Sequence, residues 1–131
     1  MAREDYLGVG VMRNDAVEKV TGAARYAGDL KFAGMLYAKL LRSNHAHARI
    51  VRIDTTKAQN LPGVKAVVTG KDFPNRMGLY LKDRTPYAVD KVRYYGEPVA
   101  GVAAESLEIA EEALRLIEVE YEELPPVLDL R

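Results

Sequence analysis

The sequence predicts an α+β fold, on three observations. Short runs rich in Val, Ile and Leu alternate with helical patterns of only one or two turns. One longer amphipathic helix is followed at once by a strictly alternating strand. The regular strand–long-helix repeat of a doubly wound parallel sheet is missing. A chain of 131 residues with 48% hydrophobic side chains is sized for one domain with a genuine core, here taken as residues 1–131.

The elements follow in order. Asp15 with Glu18 three positions on imitates a capping box, and Gly22 suits a left-handed stop, so Asp15–Gly22 reads as one short helix carrying Ala16, Val17 and Val20. Residues 35–42 and 46–53 read as strands, with a change of apolar phase near Ile50-Val51 that marks a bulge. Asp54-Thr55-Thr56 opens a short helix that Pro62-Gly63 ends. Val64–Thr69 is a Val-rich strand, and Thr69–Asp72 a single turn cut off at Pro74. Residues 75–90 form a long irregular loop, a length that in compact domains is usually functional or ordered by a partner. Strands are expected at Val92–Tyr95 and Val99–Ala104. Ser106 caps a helix over about 106–117, with Ile109, Ala110, Ala113, Leu114 and Ile117 on one face. Ile117–Glu122 alternates as a half-exposed strand, and Leu124-Pro125-Pro126 stops it.

Composition narrows the chemistry. With no cysteine there is no disulfide scaffold, thiol nucleophile, Cys-zinc site or iron–sulfur ligation within this chain. No apolar run approaches a membrane span, and the start MAREDYLG does not read as a signal peptide, so a soluble cytoplasmic domain is expected. Lysines and arginines equal acids at 19 each, but unevenly. Residues 1–104 carry an excess of seven positive charges, and residues 105–131 an excess of seven negative ones. The basic residues are dispersed singly, which fits a mixed surface folded against its own acidic end better than a nucleic-acid face.

Individual motifs are weak. Gly8-Val9-Gly10 starts like a dinucleotide loop, but Arg13 stands where its third glycine belongs, and no βαβ unit surrounds it. Ser43 and Ser106 lack a nucleophile-elbow context. The eight glutamates from Glu105 to Glu123 fall on the solvent sides of a helix and a strand. His45 and His47 would share a strand face, as two metal ligands, as a base with its partner, or as structural histidines, one of them bonded to backbone at a strand end. Tyr94 and Tyr95, in a strand, would face opposite ways, placing at least one in the core. The residues alone therefore show no self-contained active site, and none is assigned a catalytic, cofactor-binding or metal-ligating role.

Several segments together resemble one family. They are Arg13–Leu30 (RNDAVEKVTGAARYAGDL), Gly34-Met35-Leu36, Arg42–Ile50 (RSNHAHARI), Ile53-Asp54, Leu61-Pro62-Gly63-Val64, Val92–Ala100 (VRYYGEPVA) and Val119–Pro125 (VEYEELP). In order and spacing they resemble the start of the molybdenum hydroxylase large subunit, the family of xanthine dehydrogenase and aldehyde oxidase. Asn44 departs from the proline usual in that family. The resemblance implies an α/β hammerhead domain that is not catalytic alone. It also implies a parent oxidoreductase that hydroxylates an aldehyde or N-heterocycle with oxygen from water. Its molybdopterin-molybdenum would lie in domains absent from this chain, with iron–sulfur clusters and FAD on other domains or subunits. The implied partner is the molybdopterin-binding part of the same enzyme, without membrane or nucleic acid. The contact candidates are Ser43, His45, His47, Tyr94, Tyr95, Gly96, Glu97 and Pro98, because interfaces enrich polar and aromatic strand-end residues. The alternative is a free-standing interaction module of the same fold that binds another protein or a polyanion.

Overall fold

The computed structural model describes residue 8 and residues 10–129. The leader reading of residues 1–7, the middle residue of the glycine-loop reading and the chain's last two residues lie outside the described residues. The chain divides into two compact units, Met1–Ala33 and Gly34–Arg131.

In the first unit, helix α1 spans Ala16–Val20 and none of its residues is buried. The Asp15 side chain does not cap it as the sequence suggested. Its carboxylate turns instead to the Lys19 ammonium (2.5 Å) and the Arg13 guanidinium (2.9 Å), two charged donors that outcompete a backbone N–H. Those partners, Lys19 foremost, hold the Asp15 carboxyl below the usual carboxylate range. Gly22 does close the helix, at φ +74°.

Among the described residues the strands all fall in the second unit: β1 (Tyr37–Arg42), β2 (Ala48–Asp54), β3 (Val64–Thr69), β4 (Lys91–Val92), β5 (Pro98–Ala104) and β6 (Glu118–Glu123). They form two antiparallel three-stranded sheets, ordered β1-β5-β3 and β4-β2-β6. Consecutive strands therefore alternate between the sheets throughout. Helix α2 (Thr56–Gln59) joins β2 to β3, and α3 (Leu107–Arg115) joins β5 to β6.

The expected bulge is present as a register shift between Ile50 and Arg52. Ser106 caps α3 by accepting the Ile109 N–H at 3.3 Å. The α3 helix ends at Arg115, short of the predicted residue 117, and Ile117 packs in the core from the following turn. In β6 the alternation holds, Val119 and Tyr121 facing inward.

Small side chains set the packing. Ala58, Ala100, Ala104, Ala110 and Ala113 are fully buried, so α3 lies close on the central strand β5 and α2 packs against α3 and β3. On the other face of β5, a Cβ at Gly101 would meet the Tyr87 hydroxyl at 2.4 Å, which is why glycine stands there. Beneath the second sheet lies another cluster, Ala48, Ala88, Val92 and Val99; Ile53 and Val119 pack against both clusters and tie the sheets together. Full burial of a valine such as Val92 or Val99 contributes about 1.5 kcal/mol or more.

The charge polarity of the sequence folds onto itself. Lys39 pairs with Glu111 (2.9 Å), Arg49 with Glu122 (2.9 Å), Lys57 with Glu118 (2.5 Å) and Lys65 with Glu105 (2.7 Å). Each joins the basic front half to the acidic end. All are exposed, where water and salt screen such pairs, and their effect is to neutralise the surface.

Candidate functional site

Where the chain leaves β1 it runs beside the segment that enters β5. The Ser43 N–H donates to the Glu97 carbonyl and the Gly96 N–H to the Ser43 carbonyl, both at 2.9 Å. The Arg42 guanidinium donates to the Gly96 carbonyl, also at 2.9 Å. The two sequence-predicted segments, 43–47 and 94–98, are thus one connected ledge at the end of the β1·β5 pairing. Ser43 is its buried pin, 2% exposed. Its Oγ accepts the His45 N–H at 3.0 Å and donates to the His45 carbonyl at 3.2 Å, folding the chain into a bend.

That bend corrects the strand expected at 46–53. β2 begins only at Ala48, so His45 and His47 lie ahead of it and do not share a strand face. Each is held by the end of β6 instead. The His45 ring lies against Tyr121, tilted by 48° with centroids 4.7 Å apart, and its Nδ1 stands 3.2 Å from a Glu123 carboxylate oxygen. His47 Nδ1 lies 2.9 Å from the Pro125 carbonyl, which only accepts, so Nδ1 carries the proton. The structural reading of these histidines is the one this geometry supports. Among the described residues no three His, Asp or Glu side chains converge, and the chain has no cysteine. The described residues therefore offer no side-chain donor set for direct ligation of a metal ion or an iron–sulfur cluster.

Tyr94 and Tyr95 also depart from expectation. β4 stops at Val92, having partners only at Ala48 and Arg49. The Glu97 carboxylate then captures the Arg93 N–H, the Glu97 N–H bonds to the Tyr94 carbonyl, and Gly96 takes φ +85°. The result is a turn, and both tyrosines stand out of it, 53% and 74% exposed. Neither is core. Behind the ledge Tyr121 is half-buried, and burial raises its phenol pKa against a smaller opposing hydrogen bond from Ser43.

Two open depressions flank the tyrosine turn. One, about 350 Å³, runs between Ala46-His47, Arg93–Tyr95 and Pro126–Leu128. The other, about 430 Å³, is lined by Arg76, Arg84, Arg93, Asp83, Tyr94 and Glu97. The sequence reading missed the first wall formed by Val127 and Leu128, 91% and 82% exposed. Its signal was two apolar residues directly after Pro125-Pro126. The walls of the first depression thus combine two tyrosine rings, a histidine and the apolar side chains of residues 126–128.

Two small antiparallel three-stranded sheets with short helices are the architecture of the α/β hammerhead class. The chain belongs to that family: residues 21–125 match the aldehyde oxidase and xanthine dehydrogenase a/b hammerhead domain. It is 53% identical over 115 residues to a probable xanthine dehydrogenase subunit of Bacillus subtilis, covering 86% of this chain and 15% of that protein. It is 43% identical over 131 residues to the nicotinate dehydrogenase large molybdopterin subunit of Eubacterium barkeri, covering 97% of this chain and 31% of that one. Among solved structures, quinoline 2-oxidoreductase of Pseudomonas putida 86 superimposes with a TM-score of 0.80 at 43% identity, over 88% of this chain and 16% of that one. The chain thus spans a minor part of the relatives it matches. Among the described residues no helix is long and apolar enough to cross a membrane.

Proposed function

We propose that this chain serves as the hammerhead part of a molybdenum-dependent hydroxylase and that its role is assembly, not chemistry. The ledge of Ser43–His47 and Tyr94–Pro98 packs on the molybdopterin-binding part of the same enzyme. The observation that carries this reading is the tyrosine turn: two aromatic rings exposed on a backbone pinned by Ser43, Gly96 and Glu97. Exposed aromatics on a rigid support lose little entropy on contact and are what binding hot spots enrich. This chain matches 31% of the Eubacterium barkeri molybdopterin subunit, and the rest of such a subunit is the kind of partner proposed.

Within such an enzyme the molybdenum pterin would supply the oxidation, and iron–sulfur clusters and flavin on other parts would carry electrons away. The residues here would hold the wall beside them. His47, tethered to Pro125, fixes where residues 126–128 leave β6, and so shapes one side of the groove under Tyr95.

The test is to capture the tagged chain from its own host and measure molybdenum in what co-purifies. Stoichiometric molybdenum is expected, with Tyr95→Ala and His47→Ala each weakening the association at least about tenfold. Unchanged association in both variants, or a complex without molybdenum, would overturn the proposal.

A further inference from the structure

Four cations of the front half, Lys39, Arg49, Lys57 and Lys65, pair with acids from the chain's end, whereas the irregular loop holds cations that do not. Arg76, Lys82 and Arg84 make no ion pair among the described residues, although Asp83 sits between them. Between these cations lie Leu79, Tyr80 and Leu81, exposed to 86%, 89% and 81%. Three consecutive large apolar side chains at that exposure are costly to leave in water unless something covers them.

The segment is also shaped. Met77 and Arg84 exchange backbone hydrogen bonds in both directions, at 2.6 and 3.3 Å, which closes a narrow loop. At Gly78 a Cβ would meet the Lys82 nitrogen at 2.9 Å, and Lys82 itself is held at φ +46°, a region non-glycine residues avoid. A strained, closed tip presents its apolar residues already ordered, which lowers the entropy cost of docking. Behind the knob lies the 430 Å³ cleft on which Arg76 and Arg84 open together with Arg93.

We propose that residues 76–84 are a docking knob for another polypeptide of the assembly. That polypeptide offers an apolar hollow to Leu79–Leu81 and carboxylate side chains to Arg76 and Arg84. The inference rests on the reading of this chain as part of a larger enzyme but uses a different surface. Charge complementarity names the partner's rim: guanidinium groups without an internal carboxylate are suited to bidentate pairing with an external one. Shape separates a polypeptide from a bilayer. A knob beside a concave cationic cleft interlocks with side chains, whereas a flat anionic membrane would leave the cleft unfilled.

The experiment places a photo-crosslinker at the tip, Tyr80→p-benzoylphenylalanine, in the complex purified from the host, and maps the adduct by mass spectrometry. The expected result is one adduct region on another polypeptide, containing apolar residues flanked by Asp or Glu. Arg76→Glu with Arg84→Glu should lower its yield at least about fivefold, and Leu79→Ser should do the same; both change exposed side chains, and circular dichroism verifies the fold. A molybdenum-containing complex in which position 80 yields no adduct overturns the knob and leaves the ledge standing. An adduct only to a second copy of this chain overturns it. So does binding of the chain to phosphatidylserine vesicles that the same substitutions abolish. Failure of any complex to form overturns the assembly reading and the knob with it.

Discussion

Replacing Gly70 with alanine should destabilise the sheet-bearing unit, because the backbone of another segment occupies the space of the new methyl group. A Cβ there would stand 2.3 Å from the Ala88 carbonyl oxygen, 2.8 Å from its carbon and 2.9 Å from the Val89 Cα. Carbon–oxygen contacts settle at about 3.3 Å or beyond, so roughly 1 Å of main chain must give. No rotamer can absorb it, since all three atoms are backbone. Ala88 is itself fully buried and tied through its N–H to the Pro98 carbonyl at 2.7 Å. Overpacking of this kind costs about 1–3 kcal/mol. The reduced freedom of the unfolded chain returns about 0.4–1 kcal/mol, because Gly70 does not need a positive φ. For a unit of about 100 residues the unfolding entropy converts the central remainder of about 1.3 kcal/mol into a Tm lowered by about 5–10 °C. The assay is thermal unfolding by calorimetry, with Gly28→Ala as control: that glycine has open space around it and an ordinary φ. A Gly70→Ala Tm within about 1 °C of the parent, or above it, would refute the reasoning about this contact.

Two further outcomes follow from single groups. Ser106→Ala removes the acceptor for the Ile109 N–H, and at 3.3 Å this cap should be worth about 0.5–1 kcal/mol, with Ser106→Gly costing only a few tenths; the denaturant midpoint should fall at constant m-value. Burial raises the Tyr121 phenol, so its contribution to stability is complete below the ordinary tyrosine value of about 10 and is lost as pH rises through the higher folded value. Absorbance titration at 295 nm should show a component above about pH 10 that Tyr121→Phe deletes, together with part of the alkaline loss of stability; identical titrations would contradict it.

Elements governed by local pattern were readable in the sequence, and those governed by a distant partner were not. Val64–Thr69, the capped helix at Ser106 and the alternation around Val119 and Tyr121 carry their periodicity within themselves. The bulge at Ile50–Val51 shows as a phase change for the same reason. Tyr94 and Tyr95 resemble strand residues by propensity. Their turn is imposed by Glu97, whose carboxylate reaches back to the Arg93 N–H, and by Gly96 at positive φ. The histidines gave no hint of their holders, since Pro125 lies 78 positions beyond His47. Ser43 looked like one polar interface residue among several; only the fold reveals it as a buried pin that bonds to both segments. The candidate ledge was therefore nameable by residue, while its internal wiring was not.

The strict alternation of strands between the two sheets has a consequence for how the unit comes apart. No continuous stretch of chain supplies either sheet, so neither can persist alone, and the amides of β2 and β5 should exchange through one shared opening. Such non-local pairing also places folding among the slower, millisecond-to-second class. A single proteolytic nick in the exposed residues 75–84 divides the strands as β1, β2 and β3 against β4, β5 and β6, and each sheet draws on both sets. The two pieces would stay laced together after the covalent link is gone, and separately made halves should find each other and restore the fold.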